Sequence, residues 1–161
     1  MVANEKTRLV VLRGNSASGK SSVAAGFRDR FGRSLALVGQ DNLRRIVLRE
    51  RDRAGAANIV VLEGILYACH DGAVLAQLRA DHLGPNCGYY LDVPFAETLA
   101  RHATKPIVND VGEEALRDWY RERDVLPGCA ETVIEADSSL SETVDRIMRD
   151  TGLAGLPALK N

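Results

Sequence analysis

The stretch LVVLRGNSASGKSSVAAGF, residues 9–27, sets three kinds of sequence in a fixed order. An apolar run with the character of a β-strand comes first, a polar loop bounded by glycines follows, and an alanine-containing segment with helical character comes last. Gly14 and Gly19 have no Cβ atom, so the backbone there can curl with its N–H groups turned toward one centre. This order predicts a strand, an anion-binding loop and a helix whose N-terminus faces that loop.

The loop matches the pattern of a phosphate-binding P-loop, with Gly14, Gly19, Lys20 and Ser21 at the required positions. We expect it to bind a nucleoside triphosphate, with Lys20 as a catalytic cation that reaches the β- and γ-phosphates. We expect the Ser21 hydroxyl to bind the Mg²⁺ that bridges those phosphates. The predicted nucleotide-binding residues are Gly14, Asn15, Ser16, Ala17, Ser18, Gly19, Lys20, Ser21 and Ser22.

Length and composition limit the class of protein. A chain of 161 residues is expected to form one domain, residues 1–161, because it is too short for two full cores. Its formal net charge of −1 provides no broad basic surface, so nucleic acid is not an expected partner. The sequence contains neither an apolar run long enough to span a bilayer nor a cleavable apolar leader, which predicts a cytoplasmic protein without a membrane partner.

Apolar runs bounded by turn residues alternate with helical patterns along the chain, which is typical of βαβ units and a parallel sheet. In such a sheet the ligand lies beyond the carboxyl ends of the strands. Strands are predicted at residues 8–13, 35–38, 59–62, 89–93 and 132–134. Helices are predicted at about residues 21–31, 42–53, 71–80, 94–103, 113–123 and 139–150.

The segments GNSASGKSS, GQDNLRR, VVLEG and YYLDVPFAETLARH together resemble P-loop small-molecule kinases. The resemblance covers nearly the whole chain and is strongest to the group of gluconate and shikimate kinases, chloramphenicol phosphotransferase and zeta-toxin-like proteins. It implies a three-layer α/β fold, with a five-stranded parallel sheet in the order 2-3-1-4-5, flanking helices and a helical lid at about residues 103–123. It also implies that the γ-phosphoryl of ATP, with Mg²⁺, is transferred to a hydroxyl of a small acceptor.

The resemblance assigns Asp41, just after the second strand, to the acceptor hydroxyl. A carboxylate there would align the acceptor oxygen and take its proton, although Asp41 could equally cap the helix that begins near Asn42. Arg44 and Arg45 would lie one helical turn away, where they would bind an anionic or hydroxyl-rich acceptor or face solvent.

Glu63 ends the third predicted strand, where a carboxylate would hold a Mg²⁺-bound water or contact the acceptor. The alternative is an ordinary capping or ion-pair role. Asp41 and Glu63 could exchange their two functional roles.

The resemblance also implies that arginines in the lid neutralise the transferred phosphoryl group. Arg101 and Arg121 are the predicted catalytic cations of this kind, and the other candidates are Lys105, Arg117 and Arg123. Arg117 and Arg121 are four residues apart and would share a face if their segment is helical. Lys105 departs from the family, which more often has arginine there, and lysine cannot make a forked contact. Solvated surface charges are the alternative for each cation.

The connection around RERDRAGAANIVV is shorter than in the resembled family, which usually has another helix there. A lost helix would leave a more open acceptor pocket, and the alternative is that the natural chain is longer. Two other functions compete with a small-molecule kinase. One is a regulatory NTPase without a dedicated acceptor, and the other is a polynucleotide end kinase, which requires a basic channel leading to Asp41.

Overall fold

The structure of the protein, a computed structural model, describes residues 8–32, 35–39, 59–104 and 111–154. Four predicted site residues lie outside these ranges: Asp41, Arg44, Arg45 and Lys105. The helix predicted at about residues 42–53 also lies outside them.

Five strands form one sheet in the described part of the chain. They are β1 (Arg8–Gly14), β2 (Leu35–Gly39), β3 (Ile59–Glu63), β4 (Asn86–Asp92) and β5 (Glu131–Glu135). All neighbouring strands are parallel, and their order is β2-β3-β1-β4-β5, which confirms the expected sheet. The predicted strand at residues 89–93 begins three residues after the start of β4, because Asn86, Cys87 and Gly88 do not form an apolar run. Asn86 nevertheless pairs with Leu9 of β1, so hydrogen bonding to the central strand extends β4 toward its start.

The described residues form five helices, which lie close to the predicted ones. They are α1 (Lys20–Phe31), α2 (Ala68–Asp81), α3 (Phe95–Ala103), α4 (Glu113–Trp119) and α5 (Leu140–Asp150). A capping box begins α5, because the Ser139 side chain accepts from the Glu142 backbone N–H and the Glu142 carboxylate accepts from that of Ser139. None of the helices that the structure describes is both long enough and apolar enough to cross a membrane.

The alternation of side chains along β1 divides the core between the two faces of the sheet. Val10 and Leu12 point to one face, where they pack with buried residues of α1 and α5. Leu9 and Val11 point to the other face, where they belong to a cluster with Leu75 of α2. Both faces of the central strand are therefore covered, which explains its nearly continuous apolar sequence.

The next residue on the second face, Arg13, is completely buried. Its Nη1 atom donates to both carboxylate oxygens of Glu131, at 3.0 and 2.8 Å. Its Nη2 atom donates to the Asp124 carboxylate at 3.0 Å, and its Nε atom donates to the Leu66 carbonyl oxygen at 2.8 Å. The buried guanidinium therefore has two carboxylate partners, which offset the cost of removing its charge from water.

We predict that Arg13→Met lowers the free energy of unfolding by about 3–5 kcal/mol, because it leaves the carboxylate of Glu131 buried without its cation. Urea denaturation of the two proteins measures this difference. Arg30→Met is the matched control, since it removes an exposed arginine that pairs with Asp145 at 2.9 Å. The control should change stability by no more than about 1 kcal/mol. Equal losses in the two variants would show that the buried pair does not stabilise the fold.

Candidate functional site

The P-loop, residues 14–21, joins β1 to α1 through a backbone with three positive φ angles. These are 147° at Gly14, 60° at Ala17 and 102° at Gly19. A Cβ atom at Gly14 would lie 2.7 Å from the Leu91 carbonyl oxygen and 2.8 Å from Ser18 Oγ, so no side chain fits there. Ala17 adopts a left-handed backbone conformation, which costs a residue with a Cβ atom about 1–2 kcal/mol of conformational free energy. A loop held in this form can turn successive N–H groups toward one anion.

Lys20 is the first residue of α1 and is only 7% exposed. Its Nζ atom donates to the Asn15 carbonyl oxygen at 2.7 Å and to Ser18 Oγ at 3.3 Å. The ammonium group therefore lies over the loop, beside the helix N-terminus whose dipole also favours negative charge. Two positive features converge where the sequence predicts phosphates.

A cavity of about 580 Å³ opens between the P-loop and the residues that follow β5, and it is called the loop cavity here. Its volume falls within the range of small-ligand sites. The far wall carries the carboxylates of Glu135 and Asp137. Six of the predicted nucleotide-binding residues line it: Ala17, Ser18, Gly19, Lys20, Ser21 and Ser22.

Arg101 of α3 lines the loop cavity and connects its two walls. Its Nη1 atom donates to the Ser18 carbonyl oxygen at 3.1 Å, and its Nη2 atom donates to the Ala136 carbonyl oxygen at 3.5 Å. Nη2 also pairs with the carboxylate of Glu97, one turn earlier in α3. A predicted catalytic cation thus lies next to the P-loop, where it can add positive charge beside Lys20.

Glu63 ends β3 directly opposite Leu12 of β1, so its side chain lies at the carboxyl edge of the sheet. Ser21 Oγ donates to Glu63 Oε2 at 3.4 Å, which brings the two predicted metal-binding residues together. Hydroxyl and carboxylate oxygens are donors that suit Mg²⁺. The described residues contain no group of three or more histidine, cysteine, aspartate or glutamate side chains that could hold a metal. The pair therefore fits an ion that draws its remaining ligands from water and phosphate oxygens.

Two other predicted lid cations, Arg117 and Arg123, are not among the residues that line the loop cavity. Arg117 is exposed and pairs with Glu113 at 2.7 Å. Arg123 has a φ angle of 45° and lies between two carboxylates, 3.6 Å from Asp92 and 3.7 Å from Glu135. Glu135 itself lines the cavity, so Arg123 borders it through this pair.

Asn15 has a role that the sequence did not reveal. Its Oδ1 atom accepts from the Arg121 backbone N–H at 2.9 Å, and its Nδ2 atom donates to the Arg121 carbonyl oxygen at 2.7 Å. These bonds hold Arg121 in a position that does not continue α4, which ends at Trp119 rather than at residue 123. Arg117 and Arg121 therefore do not share a helix face. No local pattern could predict this contact, because the two residues are 106 positions apart.

No protein-family model matches the chain. No curated protein matches it either.

Several solved structures share the fold. A sugar kinase from Janibacter is 22% identical, with a TM-score of 0.59, and the match covers 92% of this chain and 97% of that one. The APS kinase of Mycobacterium tuberculosis, in complex with AMPPNP and APS, is 18% identical, with a TM-score of 0.64 and coverages of 89% and 96%. A gluconokinase from Sinorhizobium meliloti is 15% identical, with a TM-score of 0.54 and coverages of 94% and 98%. At these identities the likeness shows that the chain shares the fold of these proteins.

We predict that Gly14→Ala destabilises the protein by at least about 2 kcal/mol, because the added Cβ strains the backbone and collides with the Leu91 carbonyl oxygen. The variant should also lose binding of inorganic tripolyphosphate, measured by calorimetry. Gly112→Ala is the matched control, since a Cβ there meets no atom within 4 Å. A Gly14 variant as stable and as active in binding as the control would contradict the need for glycine at this position.

Proposed function

We propose that the protein is an ATP-dependent phosphotransferase that moves the γ-phosphoryl group of ATP to a hydroxyl of a small-molecule acceptor. The observation that carries this proposal is the position of Lys20, over a P-loop that opens into a nucleotide-sized cavity. The similar structures support it, since they include a sugar kinase, a gluconokinase and an APS kinase with AMPPNP and APS bound. The donor nucleotide would occupy the loop cavity.

The cations at the P-loop would act on the phosphate chain. Lys20 would exchange its contacts with Asn15 and Ser18 for phosphate oxygens, and it would stabilise the charge that spreads over the transferred group. Arg101 would add a second positive charge from α3. Closure of the lid, about residues 103–123, would exclude water and limit hydrolysis.

Ser21 and Glu63 would hold Mg²⁺, Ser21 through its hydroxyl and Glu63 through a water ligand. When bound, the ion would neutralise charge on the β- and γ-phosphates. On the acceptor side, Asp41 would align the hydroxyl and accept its proton, or exchange roles with Glu63. Arg44 and Arg45 would contribute to acceptor binding.

Lys20→Ala should lower ATP turnover by at least about a hundredfold, because the ammonium contact strengthens as charge shifts in the transition state. A coupled assay of ADP release measures the effect. Arg30→Ala removes an exposed cation from the same helix and should leave turnover unchanged. If the Lys20 variant turned over ATP as fast as this control, the P-loop would not be a catalytic nucleotide site.

The choice between a kinase and a regulatory NTPase depends on the acceptor. Sugars, sugar acids, nucleosides and aminoglycoside or amphenicol antibiotics should be tested for ADP release above background hydrolysis, with mass spectrometry of the product. A kinase will give a phosphorylated compound together with faster ADP release. Hydrolysis at one rate with every compound would favour the regulatory NTPase.

Asp41→Asn separates three roles of this carboxylate. If Asp41 is the general base, transfer should fall by about a hundredfold or more while ATP affinity is retained. A helix cap predicts little change in transfer or stability, since asparagine caps about as well as aspartate. A metal-binding role predicts a raised Mg²⁺ requirement that added Mg²⁺ partly rescues.

A further inference from the structure

Asn15, the second residue of the P-loop, attaches the loop to a segment that is distant in sequence. The residue is only 3% exposed. Its side-chain amide pairs with the main chain of Arg121 at two points: Oδ1 accepts from the N–H at 2.9 Å, and Nδ2 donates to the carbonyl oxygen at 2.7 Å. Nδ2 also donates to the Tyr90 hydroxyl oxygen at 3.3 Å. The Arg121 side chain takes no part in this contact and is not among the residues that line the loop cavity.

The main-chain carbonyl oxygen of Asn15 holds the P-loop itself. It accepts from Lys20 Nζ at 2.7 Å and from the Ser18 backbone N–H at 3.2 Å. The predicted catalytic cation and the turn that precedes α1 therefore both depend on where Asn15 lies. Because the side chain and the carbonyl group belong to one residue, a bond that fixes the side chain also restricts the backbone that holds Lys20.

The partner segment, residues 121–124, is a firm point of attachment because its far end is held as well. The Asp124 carbonyl oxygen accepts from Arg13 Nη2 at 2.9 Å, and the Asp124 N–H donates to the Tyr90 hydroxyl oxygen at 3.0 Å. Arg13 and Tyr90 are both almost completely buried. The amide of Asn15 therefore joins the P-loop to the core rather than to a freely moving connection.

The P-loop needs such an attachment because its own backbone does not favour this form. Ala17 has a left-handed φ angle of 60°, which is costly for a residue with a Cβ atom. Backbone N–H groups that converge on one centre repel one another until an anion binds, and the charge of Lys20 adds to that repulsion. When a contact outside the loop keeps this form, the cost of ordering the loop is met during folding and does not weaken ligand binding.

We propose that Asn15 is a positioning residue for phosphate binding, whose amide keeps the P-loop in its phosphate-binding form and couples occupancy of the loop to residues 121–124. The proposal rests on the proposed function, because it concerns the same phosphate site. Coupling of this kind is reciprocal. Phosphate bound in the loop must therefore stabilise the Asn15–Arg121 bonds by the same factor by which those bonds strengthen phosphate binding.

The first test is binding of inorganic tripolyphosphate, measured by calorimetry. Asn15→Leu keeps the volume of the side chain but removes its amide, and it should weaken binding by about tenfold or more. Asn86→Leu is the matched control, since the Asn86 amide also makes two bonds, accepting from Arg79 Nε at 3.1 Å and donating to the Arg79 carbonyl oxygen at 3.2 Å. Asn86 begins β4, at the opposite end of the sheet from the P-loop, so the control should bind as the parent does.

The second test measures the reciprocal effect in the parent protein, and so it does not depend on whether a variant folds. Saturating tripolyphosphate should slow hydrogen exchange of the Arg121 amide, followed by NMR, by about tenfold or more. The reference is the His82 amide, which donates to the Leu78 carbonyl oxygen at the end of α2 and lies outside the coupled segment. If the two amides slowed by the same factor, the proposed coupling would be wrong.

A kinetic test separates positioning of the loop from a direct role in the reaction. Asn15→Leu should raise KM for ATP by about tenfold and change kcat by less than about threefold, because Lys20 reaches the phosphates once the nucleotide is bound. Asn86→Leu should change neither value. A large fall in kcat with KM unchanged would place the effect of Asn15 in the transition state and overturn the proposal.

Failure of this proposal and failure of the proposed function give different results. A parent that binds tripolyphosphate no more tightly than its Asn15→Leu variant overturns the positioning role alone. A parent that binds more tightly than the variant but phosphorylates no acceptor supports the positioning role and contradicts the kinase. A parent that does not bind tripolyphosphate contradicts both, because the P-loop would then not be a phosphate site.

Discussion

The buried charge of Arg13 is the interaction on which the surroundings of the P-loop depend. A guanidinium without solvent contact requires nearby carboxylates, and Glu131 and Asp124 supply them from two separate segments. Asp124 Oδ2 also accepts from the Ala68 backbone N–H at 2.8 Å, so the start of α2 depends on the same pair. The Leu66 carbonyl oxygen accepts from Arg13 Nε, which connects the segment after β3 to the same side chain. One side chain thus sets the relative positions of β1, β5 and the segments between them.

Tyr90 connects this charge network to the P-loop. Its ring lies 5.6 Å from the Arg13 guanidinium, and its hydroxyl accepts from the Asp124 N–H at 3.0 Å and from Asn15 Nδ2 at 3.3 Å. Burial raises the pKa of Tyr90 to about 12, so the hydroxyl keeps its proton and donates to the Arg121 carbonyl oxygen at 3.4 Å. Residues 121–124 are therefore fixed to the P-loop. Any closing movement of the proposed lid would therefore be confined to residues that precede Arg121.

The sequence could predict features that depend on local pattern, and it missed those that depend on distant contacts. Apolar runs and helical periodicity located the described strands and helices, and the glycine spacing located the P-loop. The burial of Arg13 was not predictable, since a charged residue at a strand end ordinarily faces solvent. The end of α4 at Trp119 was missed for a related reason. Arg117–Arg123 has helical character, but Asn15 provides hydrogen bonds to Arg121 that compete with continuation of the helix.

The partners of each arginine distinguish its role more clearly than its sequence spacing does. Arg13 is neutralised by two carboxylates and is buried, so its charge serves the fold. Arg117 is neutralised by Glu113 on an exposed helix face, where such a pair contributes little. Arg121 meets carbonyl oxygens and an aromatic ring, which orient a guanidinium without cancelling its charge. Among the residues that the structure describes, no carboxylate forms an ion pair with Arg121, so its charge is held by dipoles and a ring rather than by the counter-charges that Arg13 and Arg117 have.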